Sequence, residues 1–289
     1  MNAQLSKNKA IMWMILWSVS HVCSMSINKH LSHSIPIPLV LFFRTLFGLL
    51  FFLPFFIKEK GYLQLKTQRP SLQAVRIALV IASMCCTYFA YRHLPLAQAT
   101  SLGFTGPLVT TLFTALFLKE HINVKRWGLI ILGYCGVLVM INPFQESAQI
   151  ILPFAVTSML FANIFASGAI ICMKRLSALD SKVTLMSYMT LSSFLVAAVL
   201  VPFVWKPIEI SDIVLLAVIG GLGSLSQFSY LSAITNASPS FVSPFEYTRL
   251  VVAIPIGIFF FQETPTLWTL LGGLIIIVAS WIISREKGI

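Results

Sequence analysis

Charge is scarce in this chain of 289 residues: Asp, Glu, Lys and Arg together make up 10% of it. A soluble domain carries about 25% of such residues. Hydrophobic residues make up 57%, and the mean hydropathy is +0.89. This composition excludes an ordinary soluble protein and predicts an integral membrane protein. The net charge of +11 does not indicate nucleic acid binding, because the basic residues cluster between apolar runs, as in oriented membrane proteins.

Catalytic and metal-binding motifs are lacking as well. Neither HExxH nor GxxxxGK occurs, and Asp180 and Asp212 both lie between apolar runs. We therefore expect that the protein is not an enzyme and binds no metal or cofactor. An intramembrane enzyme in which His21 activates Ser224 is a remote alternative. The cysteines show no CxxC or Cys/His ligand spacing and are expected to be small buried thiols. They are Cys23, Cys85, Cys86, Cys135 and Cys172.

Ten apolar runs follow one another along the chain, and a membrane-spanning helix needs about 20 residues. The runs cover residues 10–27, 36–57, 74–91, 96–118, 127–141, 150–173, 183–205, 213–234, 239–261 and 267–283. Because short connections join the runs, neighbouring helices should be antiparallel. The sequence predicts an all-α integral membrane protein with ten transmembrane helices.

Basic residues are divided unequally between the two ends of these runs. With the N terminus in the cytoplasm, 15 of the 20 Lys and Arg lie on the inner side, Arg76 among them, and three lie on the outer side. The remaining two, Arg44 and Arg249, are expected to lie in the membrane. An excess of this size predicts that both termini are cytoplasmic.

The two halves of the chain repeat each other. The matched stretches are Lys29-His30-Leu31-Ser32 with Lys174-Arg175-Leu176-Ser177, and Leu118-Lys119-Glu120 and Trp127 with Phe261-Gln262-Glu263 and Trp268. Because each unit has an odd number of spans, the second unit must be inserted upside down. We predict two inverted five-helix repeats, residues 1–143 and 144–289, as in alternating-access carriers that bind substrate near the midplane.

The order and spacing of several short motifs resemble the drug/metabolite transporter superfamily, of the EamA type. The stretches that carry this likeness are Pro95-Leu96-Ala97-Gln98-Ala99-Thr100, Thr105-Gly106-Pro107-Leu108, Leu118-Lys119-Glu120, Arg126-Trp127, Pro244-Phe245-Glu246-Tyr247 and Phe261-Gln262-Glu263-Thr264-Pro265. The resemblance covers both halves and implies a secondary transporter of small polar metabolites in the bacterial inner membrane. Within the superfamily the chain most resembles the S-adenosylmethionine uptake carriers of intracellular bacteria. That likeness implies S-adenosylmethionine as substrate, exchanged for S-adenosylhomocysteine.

Several alternatives accompany this interpretation. Export of amino acids or related metabolites is the second functional hypothesis, and the sequence does not exclude a channel. The expected partners are a small-molecule metabolite and the lipid bilayer, with no nucleic acid. A homodimer stays open.

Ionisable side chains inside the runs mark the expected site, because a charge at membrane depth costs about 3 kcal/mol. Glu246 and Arg249 are three residues apart and so share one face of a helix. Glu246 is expected to bind a substrate ammonium or sulfonium, or to carry a coupling proton. Arg44 is expected to bind a carboxylate, either of the substrate or of Glu246. A purely structural ion pair is the alternative for Arg249 above all.

Aromatic and polar residues complete the predicted site. Trp17 and His21 belong to a stripe on one face of the first helix, and Tyr88 offers its ring for stacking or a cation–π contact. Ser224 and Gln227 stand in a glycine-rich helix whose small residues chiefly serve close packing. The predicted substrate-binding residues are Glu246, Arg44, Arg249, Trp17, His21, Tyr88, Ser224, Gln227 and Tyr247. Glu120 and Glu263, at helix ends, are expected to cap or gate rather than to bind.

Overall fold

The fold was analysed in a computed structural model, which describes residues 2–31, 35–58, 67–93, 102–141, 153–261 and 266–285. We number its ten principal helices in chain order. They are α1 (Asn2–Leu31), α2 (Ile37–Lys58), α3 (Pro70–His93), α4 (Gly106–Phe117), α5 (Val124–Ile141), α6 (Pro153–Leu176), α7 (Lys182–Leu200), α8 (Ile210–Asn236), α9 (Thr248–Phe261) and α10 (Leu267–Arg285). The prediction of an all-α fold is confirmed, since these residues contain no strand.

Local signals in the sequence set several helix ends. The Ser181 hydroxyl caps α7 by accepting a hydrogen bond from the Thr184 backbone N–H at 3.1 Å. Pro107 stands in the first turn of α4, where its missing N–H costs nothing. Lys119 has a φ of 55°, and this left-handed residue follows the end of α4.

The lengths and surfaces of the helices suit a bilayer. Five described helices are long and apolar enough to cross a membrane, over Ser6–Asn28, Pro70–Thr87, Pro153–Leu176, Lys182–Phe203 and Asp212–Asn236. Three more apolar segments are shorter: Pro38–Pro54, Gly106–Phe117 and Leu267–Ile283. Large apolar side chains such as those of Phe154, Phe203 and Phe259 point away from the protein. Exposed apolar surface of this kind is expected where lipid replaces water.

Helix pairing follows the predicted repeat. The most extensive contacts join α1 to α8, α3 to α6, and α5 to α10. Helices five apart in number are equivalent in the two halves, so α1 corresponds to α6, α3 to α8 and α5 to α10. The α1–α8 pair is therefore equivalent to the α6–α3 pair, and the α5–α10 pair is equivalent to itself. The two halves therefore interlock as two five-helix repeats, and neither half forms a separate body.

One pair of contacts departs from this symmetry. Helix α2 packs closely along α8, whereas the equivalent helices α7 and α3 meet at few points. The α2–α8 crossing depends on glycine: a Cβ added to Gly220 would lie 2.5 Å from the Cβ of Phe47 and 2.9 Å from the backbone N of Gly48. Small residues that let two backbones approach are the usual basis of tight packing in membranes. The loosely packed α3 and α7 leave space between the halves.

The run at residues 239–261 is not the single continuous helix that the sequence predicts. It consists of a short helical turn (Pro239–Val242), a 3-10 helix (Ser243–Tyr247) and then α9. Glu246 therefore lies in the 3-10 segment, and Arg249 lies in the first turn of α9. A turn at Phe104 and Thr105 likewise precedes α4 in the first half. Interrupted helices at membrane depth are tolerated where protein surrounds them.

The cysteine prediction is wrong for two residues. Cys85 and Cys135 are exposed on the protein surface, while Cys23, Cys86 and Cys172 are partly buried. The two exposed thiols lie on α3 and α5, whose outer faces suit lipid. An apolar medium accepts a small thiol as readily as a protein core does.

Candidate functional site

A cavity of about 420 Å³ lies between the two halves of the protein. Cavities that hold small molecules measure about 300–1,000 Å³, so this one is large enough for a metabolite. Residues from α1, α2, α3, α6, α7 and α8 line it. Of the predicted site residues, Trp17, Arg44, Ser224 and Gln227 belong to its wall.

Arg44 reaches the cavity from the tight crossing of α2 and α8. Its guanidinium lies against Gly223, where an added Cβ would be 2.8 Å from the Arg44 Nε. The next residue, Ser224, donates a hydrogen bond to the Gly48 carbonyl at 3.1 Å. Ser224 thus fastens α8 to α2 beside the arginine, as the packing interpretation of this glycine-rich helix predicts. Gln227 stands one turn further along and also faces the cavity.

Glu246 is linked to the cavity by a hydrogen bond with Tyr230. Tyr230 lines the wall on α8, and its hydroxyl donates a hydrogen bond to Glu246 Oε1 at 2.8 Å. The Tyr230 ring is 5.4 Å from that of Trp17, centroid to centroid. Glu246 therefore forms a second layer behind the described wall. The sequence analysis missed Tyr230, although Gly223, Gln227 and Tyr230 recur at the spacing of one helical face.

Arg249 packs between aromatic rings. Its guanidinium carbon is 4.4 Å from the centroid of Phe104 and 5.8 Å from the ring of Trp17. Both distances suit a cation–π interaction. The His21 ring also stacks on the Trp17 ring, with the two ring centroids 5.2 Å apart. Arg249 and His21 thus position Trp17 and do not themselves belong to the described wall.

Of the remaining predicted residues, Tyr247 does not belong to the described cavity wall. Tyr247 is 1% exposed and packs its ring against Phe104 and against the backbone of Gly133, where an added Cβ would lie 2.8 Å away. Its hydroxyl has no hydrogen-bond partner among the described residues. Tyr88 lies on α3, but its side chain is outside the described residues.

Arg76 is a cavity residue that the sequence analysis assigned to the cytoplasmic side as a topology signal. It lies on α3, is 5% exposed, and lines the cavity. The signal was present in the sequence: Arg76, Val80 and Ser83 follow at i, i+4 and i+7, and all three line the wall. A count of positive charges assigns Arg76 to one side of the membrane and does not consider the helix face that it shares with Val80 and Ser83.

The two interrupted helices are held in the same way. Thr248 donates its hydroxyl to the Phe245 carbonyl at 2.6 Å, and its Oγ1 is 2.7 Å from the Ser18 hydroxyl on α1. In the other half, Thr105 donates to the Leu102 carbonyl at 2.8 Å and accepts from Asn163 on α6, also at 2.8 Å. Each threonine thus adds a side-chain hydrogen bond to a carbonyl at the break and contacts the first helix of the opposite half.

A polar cluster joins helix ends on the side that holds both termini. Ser240 donates to Glu120 Oε2 at 3.0 Å, and Lys174 donates to the carbonyls of Ile234 and Ala237 at 2.6 and 2.8 Å. Glu120 therefore has the structural partner that the sequence analysis expects, while Glu263 is outside the described residues. Within the described part of the chain, no group of three or more His, Cys, Asp or Glu is placed to hold a metal.

The EamA-like transporter family matches this chain twice, over residues 8–142 and 153–285. The chain belongs to this family and is a membrane transporter. The double match agrees with the two repeats of the structure. A crystal structure of 16% sequence identity superposes with a TM-score of 0.77, covering 98% of this chain and 96% of the other, which supports the fold.

Three curated relatives differ in their named substrates. The pseudopaline exporter of Pseudomonas aeruginosa is 30% identical over 263 residues, 90% of each chain. The S-adenosylmethionine uptake transporter of Rickettsia conorii is 29% identical over 277 residues, 95% of this chain and 92% of that one. The riboflavin transporter of Brucella anthropi is 26% identical over 260 residues, 87% and 89%. All three are transporters of small molecules, so this chain is a small-molecule transporter and not an enzyme.

Proposed function

We propose that the protein is a secondary carrier which takes up S-adenosylmethionine across the bacterial inner membrane, in exchange for S-adenosylhomocysteine. In this proposal both termini are cytoplasmic, and residues 1–143 and 144–289 act as the two moving halves. One observation carries the proposal: a metabolite-sized cavity between the halves is lined by arginine, aromatic and methionine side chains.

The chemistry of S-adenosylmethionine matches the cavity wall group by group. Its carboxylate suits an arginine, since a guanidinium binds a carboxylate through two parallel hydrogen bonds. Its adenine suits the aromatic rings of Trp17 and Tyr230, which both line the wall. Four methionines also line the cavity and supply flexible, polarisable contacts: Met84, Met173, Met186 and Met189.

Glu246 is the proposed coupling residue. Its carboxylate lies behind Tyr230 and not in the described wall. The hydrogen bond from the Tyr230 hydroxyl, at 2.8 Å, links this carboxylate to the cavity. A cationic sulfonium in the cavity is attracted by this carboxylate and by the neighbouring rings. Substrate binding and the charge on Glu246 are therefore linked, and Arg249 holds the Trp17 ring that completes the contact.

Export of amino acids or related metabolites is the second candidate. The relative named as an exporter favours it, because its identity to this chain is 30%, against 29% for the uptake transporter. Riboflavin shares the need for an aromatic wall but lacks a carboxylate that the cavity arginines could bind. The charge of the cavity thus favours a substrate with an anionic group.

Uptake of labelled S-adenosylmethionine by bacterial cells producing the protein tests the proposal. We expect accumulation above cells with an empty vector, and inhibition by an excess of unlabelled S-adenosylhomocysteine but not of riboflavin. Insertion is verified in the membrane fraction. Inserted protein without accumulation rejects the substrate, and inhibition by amino acids alone supports the second candidate.

A further inference from the structure

We propose that Arg76 is the residue that binds the substrate's carboxylate, at the end of the cavity that faces both chain termini. The inference rests on the proposed function and assigns a specific role within it. Arg76 is 5% exposed in an apolar helix, and a buried cation without a counter-charge is costly. A transporter that keeps such a cation beside its cavity gains from a substrate that neutralises it.

The guanidinium of Arg76 has unused donors. Among the described residues it makes one hydrogen bond, from Nη1 to the Leu185 carbonyl at 3.4 Å, near the upper limit of such bonds. Arginine offers five N–H donors in a planar fork that fits a carboxylate. Leu185 also lines the cavity, so this weak bond holds the guanidinium beside the space where a substrate would lie.

A second buried polar group lies one turn away. Gln73 is 1% exposed, and neither its amide oxygen nor its amide nitrogen has a partner among the described residues. Residues three apart lie on the same side of a helix, so Gln73 and Arg76 are neighbours on α3. Buried polar groups without partners are rare in proteins. An amino-acid head group bound at Arg76 brings both a carboxylate and an ammonium towards this pair.

The two cavity arginines enter from opposite ends of the bundle. Arg76 is about 9 Å along α3, which begins on the side of the termini, and Arg44 is about 10 Å along α2, which begins on the other side. The Arg44 guanidinium already packs against Gly223, and Arg44 has other interactions within the protein. Arg76 is therefore the better receptor for a carboxylate that arrives with the substrate.

Binding to the purified full-length protein tests this assignment with two ligands. Decarboxylated S-adenosylmethionine keeps the adenosine and the sulfonium and lacks the carboxylate. We expect the wild type to bind S-adenosylmethionine about 10- to 100-fold more tightly than the decarboxylated ligand, the range for hydrogen bonds to a charged group. Arg76→Met should lose this preference while binding the decarboxylated ligand within about threefold of wild type. Arg69→Met, at an exposed arginine just before α3, is the matched control and should behave as wild type.

The outcomes separate a binding role from a structural one. The assignment is wrong if Arg76→Met weakens the binding of S-adenosylmethionine and of the decarboxylated ligand equally. It is also wrong if the wild type binds the two ligands with the same affinity. Should Arg76→Met fail to insert, Arg76→Gln decides by the same criterion, because it keeps an uncharged N–H donor at this position and removes the charge. Stabilisation of the protein by inorganic phosphate, without any effect of an organic carboxylate, also overturns the inference.

Failure of the proposed substrate is a distinct result. A wild type that binds neither S-adenosylmethionine ligand rejects the proposed function. The role of Arg76 is then decided with methionine, other amino acids and their amides. Carboxylate-dependent binding that disappears in Arg76→Met supports the assignment, and its absence throughout this panel overturns it.

Discussion

The two interrupted helices have the same framework and different chemistry. Thr105 and Thr248 stand the same number of residues before Glu120 and Glu263, and each donates to a carbonyl three residues earlier. At the position two residues before each threonine, the first half has Gly103 and the second half has Glu246. One residue after each threonine, Gly106 in the first half corresponds to Arg249 in the second.

This difference indicates a division of labour between equivalent halves. Both breaks have the same hydrogen bond from a threonine hydroxyl to the carbonyl three residues earlier, so the break belongs to the repeat itself. The charges occur only in the second copy, where Glu246 reaches Tyr230 and Arg249 packs on Trp17. The first copy instead has glycines at these positions. We infer that the repeat provides the break and that only the second half places charged side chains at it, whereas the cavity arginines Arg44 and Arg76 belong to the first half.

The largest expected effect follows from removing that charge. Glu246→Gln keeps an acceptor for the Tyr230 hydroxyl and loses the carboxylate, so we expect transport to fall to the background of protein-free liposomes while folding and insertion persist. Initial rates of labelled substrate uptake into proteoliposomes measure the loss. Glu120→Gln is the matched control, because its carboxylate accepts a bond from Ser240 away from the cavity, and it should retain most of the activity. Normal rates in Glu246→Gln would contradict the assigned role.

The tightness of the α2–α8 crossing, which sets it apart from the loose α3–α7 pair, can be tested by stability. In Gly220→Ala the new methyl would lie 2.9 Å from the backbone N of Gly48, whereas in Gly221→Ala it would meet only the Phe51 ring, at 3.3 Å. Overpacking against a backbone costs about 1–3 kcal/mol, and a ring can move aside. We expect Gly220→Ala to unfold at clearly lower denaturant concentration in detergent than Gly221→Ala. Equal midpoints would show that the crossing is not tight.

The smallest expected effect tests whether the two breaks are equivalent. Thr105→Val and Thr248→Val each remove one hydroxyl that bonds a carbonyl and a side chain of the opposite half. Hydrogen bonds inside membrane proteins contribute about 0.6 kcal/mol on average, so each variant should lose about that much free energy of unfolding per bond removed. Denaturant unfolding in detergent measures both losses. A loss several times larger in one variant than in the other means that the breaks differ in structure as well as in charge.

The sequence predicts the framework of this protein well, because apolar length and repeated motifs depend on local residues. Four of its candidate site residues, Trp17, Arg44, Ser224 and Gln227, line the central cavity, and their role in binding stays a prediction. The sequence does not predict the break before α9, where the Thr248 hydroxyl bonds the Phe245 carbonyl and also contacts Ser18 on α1, a neighbour distant in the sequence. Periodicity identifies a face of a helix but not the neighbour of that face.

Two residues show what this limit costs. Tyr230 looks like one aromatic among many until Glu246, from another helix, accepts its hydroxyl. Arg76 stands near the start of an apolar run, where a charge count treats it as a loop residue, although α3 begins at Pro70 and carries it into the bundle. For Tyr247 the failure is opposite: its position beside Glu246 suggests the site, but the tight 3-10 turn directs its ring towards Gly133.

Counterflow is the most direct test of a carrier whose binding cavity alternates between two inverted halves. Proteoliposomes containing the wild-type protein are preloaded with unlabelled S-adenosylmethionine, and labelled S-adenosylmethionine is added outside. The account predicts transient accumulation of label above its equilibrium level, faster than in liposomes without preloading. Identical label entry with and without preloading, in vesicles with verified insertion, would contradict it.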